Sequence, residues 1–354
     1  MDISLQQILD LRNRVEISHE AFMAQVGLAQ VVLVGEEHDN PAHHEVQLET
    51  IRHLFEQHPD LAVGMEMFPH PLQPVLDQWV AGGLQEEAFL DAVEWYYTWG
   101  FDAELYLPIL RFVRDQKIPL LALNIPREVV RQVRMQGLES LEAKVRESLP
   151  PLAFASHGYR LRLQKVFDAH PMFAQSALFD NFVQAQQIWD GVMADRLRAW
   201  LQDHPDGHVV GVVGGGHIWQ GHGIPHQLAS RGVTRVVTVL PWSRTEPQVQ
   251  ADVADFVIGT PATPESEDPV QLGVVLQNKE GGILIEKILP DTPASHSELA
   301  VQDRIKSFDG QEIQARHTLV RLVRGKHWGD RVSMTVQRAD GEHQLTIILE
   351  KPAS

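Results

Sequence analysis

The sequence contains no cysteine among its 354 residues. That absence excludes disulfide bonds, thiolate metal sites, thiol nucleophiles and a lipid-modified N-terminal cysteine. Basic residues are also scarce, because 30 Lys and Arg stand against 47 Asp and Glu, for a formal net charge of -17. Such a chain repels nucleic acids and anionic lipid surfaces, so neither is an expected partner.

Long hydrophobic runs are missing as well. No stretch approaches the roughly 18 apolar residues of a membrane span. The first twenty residues lack a basic opening, a continuous apolar core and a small-residue cleavage site, so they are not typical of a signal peptide. Their spacing of apolar residues predicts an amphipathic helix. We therefore expect a cytoplasmic protein, or a periplasmic one if a leader was removed or lies upstream.

Five apolar runs rich in β-branched residues predict strands. They span residues 31–34, 61–67, 118–123, 209–213 and 233–240. Helical patterns lie between them, which is the alternation typical of an α/β fold with a mainly parallel sheet and helices on both faces. Residues 137–200 contain no comparable strand and predict a helical cap. The helix after the first run is predicted to begin with Asn40 as its cap, and its spacing turns His44 toward the sheet.

A change in composition divides the chain toward its C-terminus. The stretch IGTPATPESEDPV is rich in Pro, Thr, Ser and acidic residues and predicts a linker. We assign residues 1–257 to the α/β domain, 258–268 to the linker and 269–354 to a small second domain. That domain combines short strands and DG turns with one helical stretch at 317–323.

The second domain resembles PDZ domains of the bacterial periplasmic-protease type. The resemblance is carried by QLGV at 271–274, PDTPA at 290–294 and VQDRIKSFDGQEI at 301–313. It implies a small α+β module that binds the C-terminal peptide of a partner protein as an added strand. Leu272, Gly273 and Val274 are the residues expected to hold the peptide carboxylate. The alternative is a packing or dimerisation module without a peptide ligand, and a homodimer stays open.

Polar side chains follow four strands of the first domain at the point where each strand ends. They are Glu36 and His38, then Glu66, Asn124 and His217. Because the carboxyl ends of parallel strands meet at one edge of a sheet, we expect these side chains to converge. Two histidines and two carboxylates can bind a divalent metal or carry out acid/base catalysis. The alternative for each residue is a structural, hydrogen-bonded role.

The roles differ between the two kinds of chemistry. The predicted metal ligands are His38, Glu66 and His217, and adding Glu36 gives the predicted catalytic set. Asp190, on a predicted helix, is a candidate for orienting one of the two histidines. His43 is expected to be solvated, unlike its neighbour on the inner face of the helix.

The first domain resembles the ChaN-like haem-binding family, within the superfamily that holds erythromycin esterases and Tiki/TraB-type proteins. The motifs, in the family's order between residues 31 and 242, are LVGEEHDNPAHH, VGMEMF, YYTWGFDAELYLPILRF, LALNIPREVV, IWDGVMADRL and VVGGGHIWQGHGIP. The resemblance implies haem binding and iron uptake. The related esterases and Tiki-type proteins are hydrolases with His and Glu at positions matching His38, Glu66 and His217.

A haem would need an axial ligand from the protein. Tyr97 and Tyr106 are the candidates, and Trp99 lies between them in the same aromatic stretch. Asn124 and His217 complete the predicted haem-binding set. Core packing of the aromatic residues is the alternative. We expect a haem-binding protein implicated in haem and iron uptake, with a metal-dependent hydrolase of the esterase or peptidase type, or a non-catalytic scaffold, as alternatives.

Overall fold

The computed structural model describes residues 3–169, 178–243, 248–263, 268–279 and 282–352. The chain forms two compact units. The first comprises Met1–Val93 and Phe101–Pro264, and the second comprises Glu94–Gly100 and Glu265–Ser354.

The first unit contains an eight-stranded sheet. Its strands are β1 Ile8–Asp10, β2 Val15–Ile17, β3 Val31–Glu36, β4 Leu61–Pro69, β5 Leu120–Asn124, β6 His208–Gly214, β7 Val236–Ser243 and β8 Phe256–Thr260. The order across the sheet is β2-β1-β8-β7-β3-β6-β4-β5. Neighbours from β8 to β5 are parallel, whereas β1 and β2 pair antiparallel at one edge.

Helices connect and cover these strands. They are α1 His19–Val26, α2 Pro41–Gln57, α3 Gln73–Val80, α4 Glu86–Ala92, α6 Leu107–Asp115, α7 Arg127–Gln136, α8 Ala143–Glu147, α9 His157–Asp168, α10 Phe179–Asp203 and α11 Ile224–Ala229, while α5 Trp95–Thr98 belongs to the second unit. The α/β fold with a mainly parallel sheet is thus confirmed. The predicted strands correspond to β3 through β7, and α8, α9 and most of α10 lie in the region 137–200 that was predicted to be a helical cap. Residues 170–177 of that region lie outside the described residues.

The N-terminal segment was predicted to be helical, and this prediction was wrong. It forms a hairpin, in which β1 also pairs with β8 from the far end of the first unit. Asp10 is 1% exposed and accepts the backbone N–H groups of Arg12 and Asn13, which fixes the turn. Gln6 and Arg14 have positive φ angles of 60° and 57°, which a helix does not accommodate.

The second unit contains the other sheet. Its strands are β9 Val274–Lys279, β10 Gly282–Ile288, β11 Arg304–Phe308, β12 Gln311–Glu312, β13 Arg331–Arg338 and β14 Gly341–Ile348, and its longer helix is α12 Arg316–Arg324. The order is β14-β13-β11-β10-β9, with β12 paired to β11, and β9 ends the sheet. This antiparallel sheet with one covering helix is the small α+β module that the sequence predicts. Strand β8 occupies the start of the segment assigned to the linker.

Within the described residues, no helix is both long enough and apolar enough to cross a membrane.

Candidate functional site

The carboxyl ends of four adjacent parallel strands bring the predicted polar residues to one edge of the first sheet. Glu36 is the last residue of β3, and Asn124 is the last residue of β5. Glu66 lies in β4, and His217 ends a short 3-10 helix directly after β6. Because β3, β6, β4 and β5 are consecutive in the sheet, residues far apart in sequence become neighbours here.

His217 lies between two buried carboxylates. Its Nδ1 is 2.6 Å from Oδ1 of Asp190 on α10, and its Nε2 is 3.2 Å from Oε1 of Glu66 on β4. The side chains of both acids are 2% exposed. The imidazole therefore links the helical cap to the sheet through both of its ring nitrogens.

This arrangement keeps the imidazole protonated at neutral pH. Burial alone would lower the pKa of His217, but Glu66 and Asp190 outweigh it and raise the pKa to about 10. Burial would likewise raise the pKa of Glu66, but His217, His38 and a backbone N–H lower it to about 2. The centre of the site is thus a buried imidazolium held between carboxylates.

Two further hydrogen bonds hold Glu66 in place, and one of them requires the backbone of Gly214 to come close to its carboxylate. The Gly214 N–H donates to Glu66 Oε2 at 2.7 Å, and Asn124 Nδ2 donates to the Glu66 carbonyl at 2.7 Å. A Cβ atom at position 214 would lie 2.9 Å from Cε1 of His38 and 3.4 Å from Glu66 Oε2. Glycine is therefore required where β6 ends, because a side chain would displace the histidine.

A second pair lies beside the first and consists of Glu36 and His38. His38 Nδ1 is 2.7 Å from Glu36 Oε1, and Tyr106 donates its hydroxyl to the same oxygen at 2.6 Å. Gln47 on α2 donates to Glu36 Oε2 at 2.7 Å, and His44 Nδ1 is 3.3 Å from that oxygen. The carboxylate is fully buried and is held from β3, α2 and the start of α6.

His38 differs from the rest of the site in its access to solvent. Its side chain is 29% exposed, whereas the Glu36 side chain is 0% exposed. Burial lowers the pKa of His38, but the hydrogen bond that it donates to Glu36 and the charges of Glu66 and Glu36 give a net increase. The ring of Phe101 packs against it, with centroids 4.8 Å apart. His38 is therefore the site residue best placed to meet a molecule arriving from outside.

The prediction for His43 was wrong. It is 1% exposed rather than solvated. Its Nδ1 accepts the Glu37 N–H at 2.9 Å, and its Nε2 is 3.1 Å from Asn40 Nδ2. Burial and the neighbouring His44 lower its pKa to about 4, so the ring is neutral. The early turn of α2 folds back on the loop after β3, and helical spacing alone does not reveal this.

Two of the predicted haem-binding residues hold acidic residues of the site in place, Tyr106 through the Glu36 carboxylate and Asn124 through the Glu66 backbone carbonyl. Tyr106 is 0% exposed, and besides Glu36 its hydroxyl donates to the His38 carbonyl at 3.3 Å. Asn124 is 8% exposed, and its Oδ1 accepts the Ile125 N–H in addition to the contact with Glu66. Tyr106 therefore helps to fix the position of Glu36, and Asn124 helps to fix the position of Glu66.

The other two aromatic candidates lie in the segment Glu94–Gly100 of the second unit. Tyr97 is 39% exposed, and the Arg316 guanidinium lies 3.8 Å from its ring centroid. Trp99 follows the short helix α5 as its C-cap residue. The structure thus brings Glu36, His38, Glu66, Asn124, Tyr106 and His217 together within the first unit, and it groups Tyr97 and Trp99 with α12.

Three residues of the site were not identified from the sequence. The Tyr159 hydroxyl on α9 donates to Asp190 Oδ2, and burial followed by the Asp190 charge raises the pKa of Tyr159 well above its usual value. Arg162, one turn further along α9, donates to the Gly216 carbonyl at 2.6 Å. Gln47 lies three residues after His44 on α2, so helical spacing could have identified it. No pattern in the cap sequence distinguishes the two α9 residues.

The predicted metal ligands lie close together but do not form a recognisable metal-binding group within the described residues. Among the residues that the structure describes, no three His, Asp or Glu side chains form a group that could hold a metal ion. Both ring nitrogens of His217 face carboxylates, and a metal-binding imidazole must be deprotonated at the ligand atom. The metal set of His38, Glu66 and His217 stays a prediction.

The second unit has its own candidate site, a cavity of about 280 Å³ between β9 and α12. Leu272, Gly273 and Val274 line one end of it, and Leu319 and Val323 of α12 line the side. Gly273 has a φ of 77°, and a Cβ there would lie 2.2 Å from Thr292. The loop thus requires glycine at the position where the resemblance expects a peptide carboxylate.

Family comparison agrees with this architecture. Residues 22–228 match the family described as haem-binding uptake, Tiki superfamily, ChaN, and residues 270–349 match the PDZ domain family. The first match covers more than half of the chain, so the protein belongs to the ChaN family of the Tiki superfamily and carries a PDZ domain after it. The resemblances drawn from the sequence motifs are confirmed.

Individual relatives are distant. The structure of ChaN from Campylobacter jejuni, described as showing cofacial haem binding, aligns with a TM-score of 0.58 and 20% identity over 72% of this chain and 98% of its own. Protein RETICULATA-RELATED 5, chloroplastic, of Arabidopsis thaliana is 24% identical over 68% of this chain, which spans only 35% of that protein. The HtrA-type protease AlgW with a decapeptide aligns with 24% of this chain and 30% of its own, at 22% identity and a TM-score of 0.23.

Proposed function

We propose that the first unit binds haem and serves haem and iron uptake, with His38 as the residue that would hold the iron. The observation that carries the proposal is the pairing of a partly exposed imidazole with a buried carboxylate in a member of the haem-binding family. Campylobacter jejuni ChaN, which shares the fold, supports the ligand class by its description.

The Glu36–His38 pair fits an iron ligand chemically. A histidine that binds a metal through one ring nitrogen almost always donates the other N–H to a carboxylate or carbonyl, which fixes the ring and raises its basicity. Nδ1 of His38 makes that contact with Glu36 at 2.7 Å, so Nε2 is the nitrogen that would bind iron. Glu36 is itself held by Tyr106 and Gln47, so the ring orientation is set before haem arrives.

Neighbouring aromatic residues suit the body of a porphyrin. Phe101 packs on His38, and Trp189 on α10 packs edge-on to His217 with centroids 5.1 Å apart. The Trp189 Nε1 atom is buried and has no acceptor among the described residues. A ligand that supplied an acceptor there, such as a carboxylate, would satisfy this group. When bound, haem would supply a redox-active iron with a coordination position for the imidazole.

The test is a haemin titration of the full chain followed by absorption spectroscopy. The wild-type protein is expected to give a saturable Soret band, and His38→Ala is expected to shift the band and weaken binding at least ~10-fold, because a ligand bond to iron is lost. His157→Ala, at an exposed position that starts α9, is the matched control and should behave as wild type.

Two tyrosine variants separate His38 from the ligands predicted from sequence. Tyr97→Phe and Tyr106→Phe each keep the ring and remove the hydroxyl, so neither should move the Soret band if His38 binds iron. If the Soret band shifts in either variant and the spectrum of His38→Ala is unchanged, that tyrosine rather than His38 binds the iron. Absence of any saturable band in the wild-type protein would remove haem binding altogether.

For the second unit we propose recognition of a protein C-terminus. Strand β9 ends its sheet, and the cavity beside it is lined by apolar side chains of α12, which suits strand addition by an apolar C-terminal peptide. Fluorescence anisotropy with peptides ending in free Leu or Val should show saturable binding. Amidation of the same peptides should abolish it, and equal binding of free and amidated peptides would contradict a carboxylate loop.

A second candidate function is ester or amide hydrolysis without a metal. The observation in its favour is that His38, oriented by a buried carboxylate, lies next to a fixed imidazolium at the Glu66–His217 pair. Nε2 of His38 could accept a proton from water while the water oxygen attacks the carbonyl carbon, and it could return that proton to the leaving alcohol or amine as the C–O or C–N bond breaks and the carboxylic acid forms. Turnover of p-nitrophenyl esters in the presence of a chelator, lost in His38→Ala and kept in His157→Ala, would support it. Equal turnover in both variants would dismiss it.

A further inference from the structure

The first unit contains a cavity of about 490 Å³ that is separate from the site at the strand ends. It lies between α1, α2, β8 and the segment before β1. On α2, Ala42, Val46 and Glu49 face the cavity, whereas His44 and Gln47 face the Glu36 carboxylate. At 100° per residue these two sets occupy opposite sides of the helix. The cavity therefore belongs to a surface that the haem proposal does not use.

The interior of the cavity is apolar. Ile8, Phe22 and Met23 line it and are 5%, 0% and 3% exposed. Its volume falls in the range of about 300 to 1,000 Å³ that is typical of small-molecule sites. Side chains of this kind favour an aliphatic or aromatic group as the occupant.

One polar group in the cavity wall is buried without a partner. Thr260, the last residue of β8, is 3% exposed, and within the described part of the chain nothing hydrogen-bonds to its Oγ1. A buried hydroxyl without a partner is destabilising, and a valine would fill the same space without that penalty. An occupant of the cavity that carries a hydrogen-bonding group could satisfy this hydroxyl.

The rim of the cavity is acidic. Glu45 and Glu49 lie one helical turn apart on α2, and both are exposed. His19 Nε2 on α1 is 2.9 Å from Glu49 Oε1, and this pair is itself more than half exposed. A positive group on the occupant would meet these carboxylates at the mouth.

We propose that this cavity binds a small amphipathic amine, whose apolar body packs on Phe22 and Met23, whose hydrogen-bonding group reaches Thr260 and whose ammonium group lies at Glu45 and Glu49. Each part of the assignment uses a different observation: the apolar interior, the unpartnered hydroxyl and the acidic rim. The proposal does not depend on haem binding.

The test uses two fluorescent probes of opposite charge, dansylcadaverine and dansyl-aminohexanoic acid, with the full chain. We expect saturable binding of the cationic probe and at least ~10-fold weaker binding of the anionic one, because the rim carries negative charge. Thr260→Val should weaken the cationic probe about 10-fold through the lost hydrogen bond. Ala42→Phe should abolish binding by filling the cavity, and Glu56→Gln, on α2 but outside the cavity, should have no effect.

Melting temperatures provide a second readout that needs no probe. Thr260→Val should raise the melting temperature of the ligand-free protein if the hydroxyl has no partner, and the rise caused by dansylcadaverine in the wild-type protein should shrink in the variant. A lower melting temperature would mean that solvent or the chain's own termini already satisfy the hydroxyl. That result, equal binding of the two probes, or unchanged binding in Ala42→Phe would overturn the proposal.

Discussion

His217 Nδ1 lies 2.6 Å from Asp190 Oδ1, and this contact joins the helical cap to the functional edge of the sheet. On its other side the ring reaches Glu66 at 3.2 Å. Burying three ionisable groups costs free energy unless their charges compensate and their hydrogen bonds are complete. The Tyr159 hydroxyl donates a second hydrogen bond to Asp190, and the Gly214 N–H donates a second one to Glu66. The cluster of Asp190, His217 and Glu66 therefore stabilises the fold and also sets the charge distribution of the site.

Removing the imidazolium should destabilise the first unit strongly. In His217→Gln, Asp190 and Glu66 remain buried without a neutralising charge, which we expect to cost about 3 to 5 kcal/mol in the free energy of unfolding. Urea denaturation measures this loss. His204→Gln, a half-exposed residue just after α10, is the control. A loss below 1 kcal/mol would show that the cluster is not ionised as described.

The same cluster should give stability an optimum in pH. The pKa of Glu66 is lowered to about 2 in the folded protein, so its contribution is complete above its unfolded pKa and is lost as pH falls toward 2. The pKa of His217 is raised to about 10, so its contribution is complete below its unfolded pKa and is lost as pH rises toward 10. The cluster therefore stabilises most between about pH 4.5 and 6.5.

A double variant, Glu66→Gln with His217→Gln, isolates this contribution. The quantity to measure is the difference between its unfolding free energy and that of the wild-type protein, from pH 3 to 9. It should fall on both sides of the optimum. A difference that does not change with pH would contradict the charged state of the pair.

Glycine at position 214 should be essential to the position of His38. In Gly214→Ala the new Cβ would approach His38 Cε1 to 2.9 Å, so the ring must move. If His38 holds the iron as proposed, haem affinity should fall about 10-fold in this variant, because the ring is displaced. Gly216→Ala is the matched control, because the nearest atom to its Cβ is an Arg162 nitrogen at 3.5 Å. Equal behaviour of the two variants would count against a role for this close approach.

The hydroxyl of Tyr106 should affect the stability of the folded protein more than it affects haem binding. Tyr106→Phe removes one of the donors to the buried Glu36 carboxylate, which should cost about 1 to 3 kcal/mol because the donor to a charged group is lost. Thermal or urea unfolding measures the change. Tyr97→Phe, at a side chain 39% exposed, should cost less than 0.5 kcal/mol. The reverse order would assign the structural role to Tyr97.

Gly273 should be required for folding of the PDZ unit as well as for its loop. Its φ of 77° is unfavourable for other residues, and a Cβ would overlap Thr292 at 2.2 Å. Gly273→Ala should therefore destabilise the second unit by more than 1 kcal/mol and abolish peptide binding. Gly325→Ala, whose Cβ has its nearest neighbour at 3.6 Å, is the control and should retain both.

Sequence patterns predicted much of the secondary structure of the first unit, because such patterns reflect local interactions along the chain. Apolar β-branched runs identified β3 to β7, and Asn40 followed by Pro41 identified the start of α2, whose cap accepts the Ala42 N–H at 3.1 Å. Where pairing is distant in sequence the patterns were insufficient. Strand β1 is three residues long and forms because β8, some 250 residues later, offers it an edge, so its spacing alone suggested a helix.

The sequence by itself determined that Glu36, Glu66, Asn124 and His217 share one edge, since the carboxyl ends of parallel strands must meet there. Only the tertiary structure decided what each does, because a side chain's role depends on which groups surround it. The approach of α10 and α9 makes His217 a buried cation, and the packing of Tyr106 and Gln47 fixes Glu36. Among the paired acids and histidines of this site, His38 keeps the most exposure, and that difference arises from packing rather than from any local pattern.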